Sequence, residues 1–145
     1  MLGNFRPSSA LRLNASFNGY WIDRDAAQIT LLFPYVHSLT LPASSDFTWD
    51  GKLGIDASIA QGTKLQLSGQ YYAPRLVAQG QQDARSSVDF SVAHDVTDRI
   101  KASLSVTDIF NNFGTSTFVR GNGFDVRYEN FYETQTVMFS LEMKL

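Results

Sequence analysis

The chain has 145 residues, 43% of them hydrophobic, a net charge of −2 and no cysteine. That length holds one domain. The 12 basic residues are scattered singly and form no stripe for a nucleic-acid backbone, so no nucleic acid is expected as partner. The missing cysteines remove disulfide, thiolate–metal and thiol-nucleophile chemistry, and they are compatible with transit through an oxidising periplasm. The mean hydropathy of −0.15 is that of an ordinary soluble protein. No apolar run reaches the roughly 18 residues of a membrane helix, so periodicity has to carry the reading.

The N-terminal MLGNFRPSSALRL has no apolar core flanked by a basic segment and a cleavage site, and is not a signal peptide. Arg6-Pro7-Ser8-Ser9 reads as a tight turn leading out of a strand that lies upstream. The expectation is that residues 1–145 are the downstream portion of a longer protein. A first strand is predicted over residues 10–22, with Leu11, Leu13, Ala15, Phe17, Gly19 and Trp21 on one face and Arg12, Asn14, Ser16, Asn18 and Tyr20 on the other. Trp21 ends it at an expected membrane interface. Residues 23–45 contain a charged turn, an apolar run broken by Pro34, and Pro42; they read as a long loop or an extra hairpin.

A long second strand spans 46–60: Phe47, Trp49, Gly51, Leu53, Ile55, Ala57 and Ile59 alternate with mostly polar residues such as Thr48, Asp50, Lys52, Asp56 and Ser58. Gln61-Gly62 turns into a third strand, 63–73, with Leu65, Leu67, Gly69, Tyr71 and Ala73 outward. A polar loop is expected over 74–83, a fourth strand over 84–96, a turn at Thr97-Asp98 and a fifth strand over 99–110. A glycine- and asparagine-rich loop is read over 111–130, and a sixth strand over 131–145 carries Val137, Phe139, Leu141, Met143 and Leu145 on one face. Strands of about ten residues with one oily and one wet face are what a tilted strand needs to cross a bilayer. No helix is predicted. The expected fold is therefore all-β: an antiparallel up-and-down transmembrane barrel portion of about six strands, in the outer membrane of a Gram-negative bacterium.

Connections alternate short (61–62, 97–98) and long (23–45, 74–83, 111–130), the asymmetry of short periplasmic turns and long extracellular loops. Six strands are too few to close, since barrels start at about eight, and open edges in lipid leave backbone groups unpaired. More strands are required.

The run Gly69-Gln70-Tyr71-Tyr72-Ala73-Pro74-Arg75, then Ala78-Gln79-Gly80, then Ser105-Val106-Thr107-Asp108-Ile109-Phe110-Asn111 ahead of a final strand, resembles the last strands of TonB-dependent outer-membrane receptors, closest to the Bacteroidetes-type outer-membrane β-barrel. The resemblance covers residues 10–145. It implies energy-coupled uptake of a bulky nutrient through a barrel of about 22 strands gated by a plug. The plug is absent from residues 1–145. The implied partners are outer-membrane lipid, the remaining barrel strands and plug of a longer receptor, and the barrel-assembly machinery. The last residue departs from the family's aromatic ending: Leu145 stands there, with Met143 two before it.

Candidate chemistry is sparse. Asp50, Lys52 and Asp56 alternate on the inward face and read as a solvated wall pairing with Lys64, Arg85 or Arg99. Asp108 lies on the apolar parity of its strand and is expected to cap the turn into Asn111-Asn112. His37 and His94 lack partners at metal-ligand spacing. No serine sits in a nucleophile elbow, and Gly121-Asn122-Gly123 leads into a strand, not a phosphate-binding helix. Tyr20, Trp21, Phe47, Trp49, Tyr71, Tyr72, Phe110, Phe131 and Tyr132 are expected as an aromatic belt at the loop-side interface. No catalytic, cofactor or metal residue is assigned, and substrate-binding residues stay open. Two other readings are a stand-alone barrel with a structural or adhesive role and a soluble β-sandwich or lipocalin-like binder.

Overall fold

The computed structural model describes every residue except 33, 79, 122, 123 and 145, and at 37, 39 and 121 it describes the backbone alone. The described residues form thirteen strands and no helix. They are β1 (Leu2–Ser8), β2 (Leu11–Arg24), β3 (Ala27–Leu31), β4 (His37–Leu41), β5 (Ser44–Ala60), β6 (Thr63–Tyr72), β7 (Arg75–Val77), β8 (Gly80–Gln82), β9 (Arg85–Asp95), β10 (Ile100–Thr107), β11 (Thr115–Gly121), β12 (Phe124–Asn130) and β13 (Thr136–Met143).

Seven of them form one antiparallel sheet in the order β1-β2-β5-β6-β9-β10-β13. It is an up-and-down meander in which every second connection is a hairpin inserted on the same side. β3–β4, β7–β8 and β11–β12 leave from that side; the other side carries only tight turns. Gly62, at φ 73°, makes the β5–β6 turn, a conformation that β-carbon sterics deny to most residues. At the β9–β10 turn the Thr97 hydroxyl accepts from the amides of Arg99 and Ile100.

Register fixes two faces. Leu11, Ala57, Leu65, Val92, Leu104 and Phe139 stand side by side on neighbouring strands, and the next row is Leu13, Ile55, Leu67, Phe90, Val106 and Val137. Because side chains alternate with period two, the opposite face collects Arg12, Asp56, Gln66, Ser91 and Ser105 in one such row. The apolar face covers nothing: Phe139 is 65% exposed and Trp21 68%, while the only buried apolar residue among those described is Ala73. A soluble sandwich would bury this face against a second sheet. Here it forms a continuous outward band, as lipid requires.

Four features correct or narrow the sequence expectation. First, the sheet has a seventh strand: β1 pairs with β2, and Pro7 falls between Phe5 and Ser8 where the register shifts. A bulge on an edge strand tolerates a residue without an N–H, so Pro7 does not end the strand, and the turn falls at Ser9-Ala10 instead of at Arg6–Ser9. Second, of the two forms expected for residues 23–45, a long loop or an extra hairpin, the structure has the hairpin, β3–β4. Third, the segments read as loops at 74–83 and 111–130 hold β7–β8 and β11–β12, which join through β8 and β11 into a four-stranded sheet. Fourth, the last strand starts at Thr136, because in the segment before it Thr134 and Gln135 bond to Asp108 and the Ile109 carbonyl instead of joining the ladder.

The loop-side aromatics also divide. Trp49 packs against Phe17 at 5.7 Å and Tyr71 at 4.8 Å, and Trp21 packs on Phe47 at 5.4 Å, forming an outward girdle. Gly19 leaves room for this packing: a β-carbon on it would come within 2.8 Å of the Phe47 ring, which would have to move aside. Tyr20 and Tyr72 have the opposite parity and stand on the polar face, opposite Thr48 and Asp50.

Candidate functional site: the polar face and its loop-side rim

The polar face is concave. One hollow of about 560 Å³ lies over Asn4, Asn14, Ser16, Lys52, Ser68, Gln70 and Asp89, and a second of about 600 Å³ lies over Arg12, Asp56, Ser58, Lys64, Gln66 and Ser91. Small residues at Gly54, Ser68 and Ser91 leave the space unfilled. The wall is held mainly by amides. Asn18 donates to Asp50 at 3.0 Å from the directly opposite position, and Asn14 donates to Asp56 at 3.3 Å from the diagonal one.

The expected ion pairs of Asp50, Lys52 and Asp56 with Lys64, Arg85 or Arg99 are not among the contacts of the described residues. Register accounts for Lys52, Arg85 and Arg99, while Lys64 stands diagonal to Asp56, within reach, and forms no pair with it. Lys52 stands between Ser16 and Gln70, Lys64 between Ser58 and Ala93, and Arg99 lies in the tight turn at the far end. Arg85 sits at the loop-side end of β9, opposite Tyr72, where its guanidinium lies 4.7 Å from the Tyr72 ring centre and 4.9 Å from that of Phe113. Two aromatic faces take the place of a carboxylate. His94, on the outward parity near the short-turn end, has its Nδ1 2.8 Å from the Thr63 hydroxyl; the side chain of His37 lies outside the described residues.

The rim is fastened by two buried polar groups. The Thr48 hydroxyl, 2% exposed, donates to the Pro74 carbonyl at 2.9 Å and anchors the exit of β6. Asp108, 1% exposed, has φ 47°, so the chain turns inward after β10 and the carboxylate does not face lipid as strand parity predicted. Its side chain accepts from the amides of Asn112 and Phe113, both at 3.2 Å, and from the Thr134 hydroxyl. Its own amide donates to Asp89, which also accepts from Ser87. The Asp-Ile-Phe-Asn segment is thus a latch joining the ends of β9 and β10 to the entry of β13. The capping role expected for Asp108 is present, with a wider reach than the turn itself.

Above the rim stands the four-stranded sheet β12-β11-β8-β7. Gly80 lets it form: a β-carbon there would lie 1.8 Å from the Phe118 carbonyl oxygen, inside the β8–β11 contact. Arg127 ties the sheet to β8's exit through Asp83 at 3.3 Å and also contacts Glu129 and the Ser116 hydroxyl. Arg24, at the end of β2, donates to the Ala78 carbonyl at 3.0 Å. On β12, Phe124, Val126 and Tyr128 share one exposed face. The alternation Phe124-Asp125-Val126-Arg127-Tyr128 after Gly121-Asn122-Gly123 is the signal that could have found this hairpin, and the glycine and asparagine content concealed it. No sequence signal pointed to the Arg85–Phe113 stack or the β8–β11 pairing.

Chemically, the arrangement offers a hydrated wall of hydroxyls, amides and carboxylates beneath an ordered extramembrane sheet. Set against models of known families, residues 1–142 match that of the outer membrane protein beta-barrel family. No curated protein and no solved structure matches the chain.

Proposed function

Because the chain belongs to the outer membrane protein beta-barrel family and so resides in the outer membrane of a Gram-negative bacterium, we propose that it supplies the C-terminal strands of a TonB-dependent receptor barrel that takes up a bulky nutrient. The observation that carries this reading is the concave polar face roofed on the loop side by a sheet built from two separate hairpins. A polar face that hollows inward beneath such a roof suits the wall of a barrel lumen. The Asp108 latch sits in the segment that carries the family resemblance and gives that motif a physical purpose. In this reading the apolar band meets lipid, a plug supplied by the rest of the receptor meets the polar face, and β13 is presented to the barrel-assembly machinery. The chain transports and does not catalyse.

The test is nutrient uptake by cells carrying the full coding region, with and without a proton-motive-force uncoupler, and with residues 115–130 removed. Energy-dependent uptake that falls at least tenfold on removal of the hairpin supports the reading. Uptake indifferent to both changes overturns it. The exposed Phe124, Val126 and Tyr128 face favours one second reading, a surface protein with an adhesive role; cell attachment lost with the same deletion, while uptake is unchanged, would select it.

A further inference from the structure

The four-stranded sheet above the rim has two sides, and register shows which of them turns to the polar face. Arg75 on β7 stands opposite Gln82 on β8, and its Nε donates to the Gln82 side-chain oxygen at 2.6 Å. Both line one crevice with Tyr20, Asp50, Tyr72 and Arg85, at the loop-side end of the polar face. Residues opposite each other in a ladder project from the same side of a sheet. Gln82 is opposite Thr117 and Thr117 is opposite Tyr128, so Tyr128 lies on the side of Arg75. Val77, Gly80, Val119 and Val126 form the next row on that side, and Phe124 follows two positions along β12. The half-exposed Phe124, Val126 and Tyr128 therefore look across the mouth of the concave wall. The other side carries Arg120, Asp125, Arg127 and Glu129, which pair with one another. A roof with its ion pairs outside and an apolar patch inside presents a contact surface to whatever enters beneath it.

Charge sets what that is. Arg75 and Arg85 stand below the apolar rows, and neither has a carboxylate at ion-pair distance among the described residues. Stacking between Tyr72 and Phe113 fixes the Arg85 guanidinium and leaves its N–H donors unused. Arg75 spends only its Nε, on Gln82. The carboxylates lining the crevice are already engaged, Asp50 by Asn18 and Asp83 by Arg127. At about 10 Å³ the crevice admits one water, so a ligand lies across its opening and against the roof. We propose that the mouth-side face of this sheet and the two arginines beneath it bind an amphipathic organic anion. Its carboxylate or phosphate is received by Arg75 and Arg85, whose forked donors match such a group, and its apolar body lies on Val119, Val126, Phe124 and Tyr128. A neutral glycan would leave both guanidiniums without a counter-charge, and a cation would be repelled. The proposal rests on the receptor reading for the purpose of binding and on the sheet alone for its place.

The test uses protein from the full coding region in lipid nanodiscs, titrated calorimetrically with naphthalene-2-acetate, its neutral amide and the cation 2-naphthylmethylamine. The acetate should bind about tenfold tighter than either comparator or better, and lose affinity as salt is raised. Arg75→Gln, Arg85→Gln and Tyr128→Ala should each weaken it about fivefold or more. Arg120→Gln, on the far side of the same hairpin, should leave it unchanged. Arg85 also braces the rim, so protease protection of residues 115–130 is checked in every variant; Arg75, with an exposed side chain, carries the same expectation without that burden. Equal binding of the three compounds, binding of none, or an equal loss with Arg120→Gln overturns the proposal. Uptake with and without an uncoupler is scored separately on cells. Selective binding without energy-dependent uptake removes the receptor reading and leaves the site, whereas energy-dependent uptake without selective binding removes the site alone.

Discussion

Asp108→Ala tests whether the latch holds the C-terminal strands together. The substitution removes the acceptor of three donors. The Phe113 amide and Thr134 hydroxyl are partly buried, and leaving each unsatisfied costs about 1–3 kcal/mol. The Asn112 residue is exposed and its amide turns to water, so it adds little. Alanine at φ 47° adds about 1 kcal/mol of left-handed strain that Asp and Asn tolerate better. With partial solvent access discounted, the loss should be about 3 kcal/mol for Ala and about 1–2 kcal/mol for Asn, which keeps one acceptor and the backbone preference. The assay is denaturant unfolding in lipid or detergent, read by the fluorescence of Trp21 and Trp49 and by heat-modifiable migration. A cycle with Thr134→Val should give a coupling of about 1 kcal/mol or more. The reasoning is refuted by an Ala variant within about 0.5 kcal/mol of the parent, or by an Asn variant no better than Ala.

Leu104→Lys places a charge in the middle of the lipid band and should cost about 2–4 kcal/mol, with loss of the assembled form from outer membranes, whereas Ser105→Lys on the polar face should assemble like the parent; equal behaviour of the two would contradict the assignment of faces. Gly80→Ala should separate β8 from β11 and expose 115–130 to protease outside intact cells while the barrel stays heat-modifiable; unchanged protection would show that the backbone contact is not close. Arg127→Ala breaks ion pairs whose side chains are about half exposed, so stability should change by less than about 1 kcal/mol, and a larger loss by denaturant titration would count against treating them as solvated.

The lipid-crossing strands were legible because each has to keep one oily face over many residues, and that requirement writes a period of two into the sequence. Leu65, Leu67 and Gly69 could be assigned a side from spacing alone. Short strands outside the membrane carry no such obligation: Arg75–Val77 and Gly80–Gln82 are three residues each, and the β8–β11 pairing that builds them into a sheet joins residues 35 to 39 positions apart. β1 was hidden by Pro7, whose usual meaning as a breaker fails at a bulge. Asp108 was assigned to the correct role from the wrong parity, since alternation does not survive a residue that turns left-handed. Charge pairing was overestimated because sequence lists which charges exist and neither which row they stand in nor, as for Asp56 and the diagonal Lys64, whether two within reach prefer other partners or solvent.

The knitting of two hairpins into one extramembrane sheet divides the surface unevenly for anyone who wants to alter it. β7–β8 and β11–β12 are mechanically a single body, so an insertion in one must displace the other, and a reagent that recognises their shared face reads a composite of distant segments that no linear peptide reproduces. The β3–β4 hairpin forms its own two-stranded sheet, with no strand pairing to either among the described residues. Its turn, between Leu31 and His37, is the place to put an affinity tag or fluorophore while leaving the roof over the polar face undisturbed.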